Sequence, residues 1–341
     1  MEQRELTRLE ILKRLSPGTA LREGLDDILR GNHGALVVVS NSRSGNIFEG
    51  GFEVNCDFTS KRLAELAKMD GAIILSEDFK KILCANTLLV PDRSFTTIET
   101  GTRHQAAERT AKQIDGLVIA VSERRGKITI YYKNSKFVLR GTGELLRRAT
   151  ETLQILEKQR EVYNELINNL NILEITGLVS YTDICSVLQR MEIINKMADI
   201  INEYIVALGK EGIIVRMRMK EITKGIEKEQ QLIIRDYLLT EESVNKFLEL
   251  SFESVLDSEN VIKIFFPETQ DSVIYPKGIR ILDKTSLTDD NINTLVQIFK
   301  NFNNLLDADE EKLREILGDQ TDAFKKEINH LREQIMVGKK I

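Results

Sequence analysis

Three short clusters between Asp70 and Arg125 hold the residue types that can do chemistry on an anionic ligand. Asp70-Gly71-Ala72 stands directly before the apolar run Ile73-Ile74-Leu75-Ser76, so the carboxylate sits at the mouth of a strand, beside a glycine that lets a ligand approach the backbone. The same tripeptide also makes an ordinary surface turn, since Asp-Gly is a common turn pair. The second cluster runs from Glu99 to Arg109 and places Gly101, the hydroxyls of Thr100 and Thr102, Arg103 and His104 where a loop becomes a helix. The first N–H groups of a helix and its positive dipole end suit a phosphate, and a capped helix with a solvated first turn would use the same letters. The third cluster, Ser122-Glu123-Arg124-Arg125-Gly126, follows the apolar run Leu117–Val121. One hydroxyl and two guanidiniums at a strand end can hold a triphosphate by charge-assisted hydrogen bonds, or form an exposed hairpin turn. The specific signal is the order of the three clusters and their placement at strand ends.

The elements that must position these clusters are visible in the hydrophobic pattern. Within the first 140 residues, short β-branched runs at 35–40, 72–76, 87–90, 117–122 and 128–132 predict strands. Apolar residues at i, i+3, i+4 spacing predict helices over 3–15, 19–30, 60–69 and 102–114, with Thr59 or Ser60 as N-cap of the third. Strands alternating with helices indicate a mixed α/β domain. After Gly141-Thr142-Gly143 the pattern changes to long amphipathic helices over 144–210, with Leu153, Ile155, Leu156, Tyr163, Leu166 and Leu170 as core or subunit-contact positions. Gly209 and Gly212 punctuate that segment, helix continues to about Leu250, and Tyr275-Pro276-Lys277-Gly278 marks a turn before a last module of three or four short helices.

Composition bounds the functional classes. The chain has 341 residues, 42% hydrophobic and 30% charged, with net charge −5, which excludes a disordered or fibrous protein and predicts two or three domains. There is no run of about 18 uncharged apolar residues, and Met1-Glu2-Gln3-Arg4-Glu5 opens into charge, so a cytoplasmic protein with no membrane partner is expected. Cys56, Cys84 and Cys185 form no CxxC pair and are expected as reduced thiols. Residues 1–140 carry 22 Lys/Arg against 18 Asp/Glu, residues 141–277 carry 16 against 23, and residues 278–341 carry 10 against 12. Only the first segment leans basic, which suits a polyanionic ligand there; a nucleic-acid contact elsewhere needs a local patch.

The segments AKMDGAIILS, CANTLLVPD, ETGTRH and AVSERRGKITIYY resemble the diadenylate cyclase family. LRRATETLQILEKQREVYNELINNLNILE, VLQRMEIINKMADIINEYI and IIRDYL resemble the helical spine of its DNA-integrity-scanning members, and PKGIRIL the lead-in to their helix-hairpin-helix module. The likeness spans nearly the whole chain and is specific over 34–240. It implies an α/β cyclase domain over 1–142 (a mixed sheet with flanking helices), an all-α linker or spine over 143–275, and a small all-α helix-hairpin-helix-like DNA-binding domain over 276–341. It also implies condensation of two ATP into cyclic di-AMP with release of two pyrophosphates, in a homo-octamer whose cyclase domains face each other, so that a lone monomer is inactive.

By the same resemblance, Asp70 holds Mg²⁺ or Mn²⁺ and helps activate the 3′-hydroxyl, while Gly71 and Ala72 lie against the ribose. Thr102, Arg103 and His104 meet the phosphates, Ser122 and Arg125 hold the remainder of the triphosphate, and Leu89 borders the adenine. Two departures matter. Gln105 stands where the family's motif has a second arginine. The hairpin reads Ile316-Leu317-Gly318-Asp319-Gln320-Thr321-Asp322, one glycine among aspartates, which predicts weak or altered binding of branched DNA through a strip of Lys325, Lys326, Arg332, Lys339 and Lys340, or mere packing of these helices. The expected activity is therefore a cyclase tuned by branched DNA. The competing expectations are a nucleotide-sensing DNA-binding scanner with weakened catalysis and an oligomerisation scaffold with a vestigial cyclase domain.

Overall fold

The structure, a computed structural model, describes residues 7–45, 47–267 and 273–339. Eight strands occur in the first part of the chain: β1 (Ala35–Val39), β2 (Phe48–Glu49), β3 (Phe52–Asp57), β4 (Ala72–Leu75), β5 (Lys81–Leu89), β6 (Leu117–Ser122), β7 (Lys127–Tyr132) and β8 (Ser135–Leu139). They form one mixed sheet in the order β2-β5-β4-β1-β6-β7-β8, with β3 also paired to β5. β1 runs parallel to β4, with Val37 opposite Ile73, and antiparallel to β6, with Val37 opposite Ile119. Every residue of β1 and β4 is buried, as expected for central strands covered on both faces.

Strand alternation divides the side chains between two layers. Val37, Val39, Ile73, Leu75, Ile119 and Val121 pack toward α1 (Arg8–Arg14), α2 (Ala20–Arg30) and α3 (Ser60–Leu66). Leu36, Val38, Ala72, Ile74, Val118, Ala120 and Tyr131 pack with Ala107, Ala111 and Ile114 of α4 (Thr102–Ile114) on the other face. The N-cap of α3 is Thr59, whose Oγ1 accepts from the Arg62 amide at 3.2 Å. The expected strand at 87–90 is the end of the longer β5, and β2, β3 and β8 were not expected. β3 and β8 are half-exposed, so they lack the continuous apolar run that marks a central strand. The first helix starts at Arg8 among the described residues, while positions 3–6 lie outside them.

The described residues form two compact units, one of those up to 149 with 203–214, the other of 150–202 with those from 215 onward. The expected helical stretch over 144–210 is two helices, α5 (Thr142–Thr176) and α6 (Tyr181–Leu208), separated where Gly177 adopts φ +69°. Of the positions expected in the core or at a subunit contact, Leu153, Leu156, Tyr163 and Leu170 are buried, Leu166 is half-buried and Ile155 is 54% exposed. After a 3₁₀ turn at Gly209–Gly212 come α7 (Ile213–Thr223), α8 (Ile226–Asp236), α9 (Glu241–Leu248), α10 (Phe252–Leu256) and α11 (Ser258–Phe265). Among the described residues the last module holds five α-helices, α12 (Ile279–Leu282), α13 (Asp289–Phe299), α14 (Phe302–Leu306), α15 (Glu310–Leu317) and α16 (Thr321–Met336), where three or four helices were expected. Their apolar faces share a core with Ile175 and Leu232.

A buried polar knot binds α12 to the preceding helices of its unit. Asp236 accepts from the amides of Gly278 at 2.6 Å, Ile279 at 2.8 Å and Arg280 at 3.1 Å, filling the N-terminus of α12. The Arg280 side chain, 1% exposed, pairs with Glu174 and with Glu229 at 2.9 Å. No helix among the described residues is long and apolar enough to cross a membrane. The three cysteines are free.

Candidate active site

Gly101 begins α4 without any side-chain cap, and no acidic residue lies in the first turn, so the leading N–H groups and the positive helix end remain available to an anion. Thr100, Gly101, Thr102, Arg103 and His104 line a cavity of about 740 Å³. The ends of β4 and β5 supply Gly71, Ala72, Thr87 and Leu89 to the same cavity, and the turn after β6 supplies Ser122, Glu123, Arg124 and Arg125. The sheet order makes this convergence possible, because β4 and β6 flank β1 and the Gly71–Ala72 and Ser122–Arg125 clusters both sit beside its N-terminal end.

The cavity wall carries three guanidiniums, Arg103, Arg124 and Arg125, against the carboxylates of Glu99 and Glu123. Among the described residues, the guanidiniums of Arg103 and Arg124 make no hydrogen bond or ion pair to another side chain, and Arg125 uses only its amide, which donates to Ser122 Oγ at 3.3 Å. Arg103 lies across Gly34, where a Cβ would stand 2.0 Å from its Nη1. Gly71 adopts φ +84°, and a Cβ there would stand 2.8 Å from the Asn86 carbonyl carbon, so only glycine lets β4 begin this close to β5. Two buried polar atoms on the cavity wall have no partner, Thr87 Oγ1 and His104 Nε2, which marks the wall as built for a polar ligand.

Eight of the ten expected site residues line this cavity: Gly71, Ala72, Leu89, Thr102, Arg103, His104, Ser122 and Arg125. Asp70 is exposed, adjacent in the chain to Gly71, and does not itself line it. Gln105 does not line it either; its Nε2 donates to the Glu99 carbonyl at 2.8 Å and braces the loop ahead of α4. Sequence reasoning missed Gly34, Thr87, Tyr131 and Lys136, and it placed Glu99 in the second cluster without giving it a role. Tyr131 Oη lies 2.9 Å from His104 Nδ1 and donates to Glu99 Oε1 at 2.7 Å, and the Lys136 ammonium pairs with the same carboxylate. Burial pushes the Glu99 carboxyl up, but the Lys136 and Tyr131 hydrogen bonds outweigh it and hold the group below the usual carboxylate range. Burial lowers the His104 imidazole pKa, and Lys136, Arg125 and Arg103 lower it further against the opposing pull of Glu99.

The chemistry of the donor set limits what metal the site can take. Among the described residues no group of three or more His, Cys, Asp or Glu side chains converges as a metal cage. Asp70 offers one exposed oxygen donor group, which fits a hard Mg²⁺ or Mn²⁺ that takes most of its ligands from phosphate and water.

The C-terminal module presents a poorer anion site. Asp236 already fills the N-terminus of α12. α16 has no side-chain cap but carries Asp322 in its first turn, and Lys325 is paired with Glu310 at 2.8 Å. Lys340 of the expected basic strip lies outside the described residues.

Residues 22–136 match the family described as DisA bacterial checkpoint controller nucleotide-binding, and residues 139–273 match the DisA bacterial checkpoint controller linker region. A protein of Clostridium botulinum (strain Eklund 17B / Type B) named DNA integrity scanning protein DisA is 40% identical over 344 residues, covering 97% of each chain. The protein of the same name from Acetivibrio thermocellus is 42% identical over 321 residues, covering 91% of this chain and 89% of its own. That from Clostridium acetobutylicum is 40% identical over 345 residues, covering 98% and 97%.

Proposed function

The chain belongs to the DisA bacterial checkpoint controller family, and from that premise we propose that it is a diadenylate cyclase, condensing two ATP into cyclic di-AMP with release of two pyrophosphates. The observation that carries the proposal is the single cavity in which the uncapped start of α4, Arg103, Arg125 and Ser122 converge beside Gly71 and Ala72. Arg103, Arg125 and the free α4 amides bind the triphosphate and neutralise the charge that gathers on the α-phosphate and departing pyrophosphate. The tight backbone at Gly71 and Ala72 seats the ribose, and Leu89 borders the adenine. Asp70 holds Mg²⁺ or Mn²⁺, which when bound supplies positive charge to the phosphates and acidity to the attacking 3′-hydroxyl.

Each cavity handles one nucleotide, so each 3′-hydroxyl must attack the α-phosphate of a nucleotide held by another copy. This requires facing cyclase domains, and a homo-octamer with helical spines over 143–275 meets that requirement. The module over 276–341 contacts branched DNA only weakly, since its helix starts carry aspartates and Lys325 is already paired. Engagement of Gln105 by the Glu99 carbonyl favours an active enzyme over a scanner with weakened catalysis, because its side chain occupies a bracing position outside the cavity.

Incubating the protein with ATP and Mn²⁺ and resolving products by chromatography tests the activity, and absence of cyclic dinucleotide would refute it. Titration of a four-way junction against linear duplex at fixed salt tests the DNA reading; tight, junction-selective binding would overturn it.

A further inference from the structure

The first turn of α4 carries a histidine whose hydrogen bonds fix which ring nitrogen bears the first proton. Tyr131 Oη must donate to Glu99 Oε1, because an ionised carboxylate only accepts. The Tyr131 oxygen is then the acceptor in its 2.9 Å contact with His104, and Nδ1 must carry the donated proton. Lys136 on β8 closes the far end by pairing with Glu99, and Gln105 ties the Glu99 carbonyl to the first turn of α4. The two rings meet edge to face, with centroids 6.1 Å apart, so the imidazole plane is set as well as its tautomer. What remains is Nε2, buried and unpartnered among the described residues, on a side chain that lines the nucleotide cavity.

We propose that Lys136, Glu99 and Tyr131 form a positioning relay that locks His104 as the Nδ1–H tautomer, so that Nε2 presents a lone pair to the bound nucleotide and accepts a hydrogen bond from a ribose hydroxyl. The proposal rests on the cyclase reading for its ligand but not for its tautomer. The charged groups facing His104 agree with it. Arg103 on α4, Arg125 in the β6–β7 turn and Lys136 on β8 disfavour a second proton on the ring, Glu99 favours one, Glu123 lines the same cavity, and burial disfavours the second proton most. A lone pair directed at a triphosphate oxygen would be repulsive, whereas a ribose hydroxyl supplies the missing donor. Tyr131, Glu99 and Lys136 act through His104 and are positioning residues.

Nitrogen NMR of the full-length protein labelled at its three histidines tests the tautomer directly, with His104→Gln assigning the signal. At neutral pH, His104 is expected to show a protonated Nδ1 and an unprotonated Nε2, and Tyr131→Phe to mix the tautomers. An Nε2–H tautomer or an imidazolium in the unaltered protein overturns the proposal whether or not cyclic dinucleotide is made. The expected tautomer in a protein that makes no product would instead sink the cyclase reading alone.

With activity present, Tyr131→Phe is expected to lower kcat about tenfold with little change in KM for ATP, the loss of one oriented hydrogen bond. Glu99→Gln removes the carboxylate charge that most favours protonation of His104, so the acid limb of the kcat profile should move to lower pH. A limb that moves upward, or one that stays in place, refutes the relay, as does His104→Lys binding ATP more tightly with kcat retained.

Discussion

Replacing Gly34 by alanine separates the chemistry of the cavity from the stability of the fold. Gly34 precedes β1, and an added Cβ would stand 2.0 Å from Arg103 Nη1, 2.6 Å from Cζ and 2.9 Å from Nη2. Ordinary contact needs about 3.5–4.0 Å, so the guanidinium must retreat by roughly 1.5–2 Å. All three obstructing atoms belong to the end of one flexible side chain, and the backbone at Gly34 is not left-handed, so the fold absorbs the methyl group. Stability should stay level or rise by about 0.4–1 kcal/mol through reduced freedom of the unfolded chain. Catalysis should suffer, because Arg103 forfeits charge-assisted hydrogen bonds worth about 1.5–3 kcal/mol, or roughly a 10- to 150-fold fall in kcat/KM. The assay is cyclic dinucleotide formation under limiting ATP, paired with thermal unfolding of both proteins. In an Arg103→Ala background the same alanine should cost nothing more, since its target is gone. Unchanged kcat/KM in the single variant, or a full additive loss in the double variant, would refute the steric link between Gly34 and Arg103.

Three further outcomes follow from the geometry. Asp70→Asn should abolish product formation while leaving the unfolding free energy within about 0.5 kcal/mol of the parent, because Asp70 is exposed; retained activity removes Asp70 from its role. Gln105→Arg should raise the rate by less than about threefold, since the side chain at this position braces the Glu99 carbonyl outside the cavity; a gain of about tenfold or more would mean the natural site lacks a needed cation. Arg280→Ala should destabilise the second unit by about 3–5 kcal/mol in urea unfolding, because Glu174, fully buried, and Glu229 would lose their shared counter-charge, and a cost under about 1 kcal/mol would contradict that account.

The sequence by itself determined the local parts of this protein. The short apolar runs at 35–39, 72–75 and 117–122, rich in Val and Ile and bounded by turn residues, read as strands, and the helical spacing over 102–114 coincides with α4. Glycine, hydroxyl and arginine side chains beside those ends are compatible with an anion site or with ordinary turns and a capped helix, and only their order and strand-end placement favour the first. Half-exposed β3 and β8 lack that contrast between apolar and polar faces, and the break at Gly177 is a single left-handed residue in an otherwise helical pattern. Only the tertiary structure decided which distant residues meet. Gly34 gains its meaning from the Arg103 side chain that lies over it, Glu99 and Tyr131 join His104 because β7 and α4 share one face of the sheet, and Arg280 finds Glu174 across 106 positions of chain. These pairings depend on strand order and helix packing, which emerge from burying the whole apolar surface at once and leave no mark in the short-range spacing of the residues concerned.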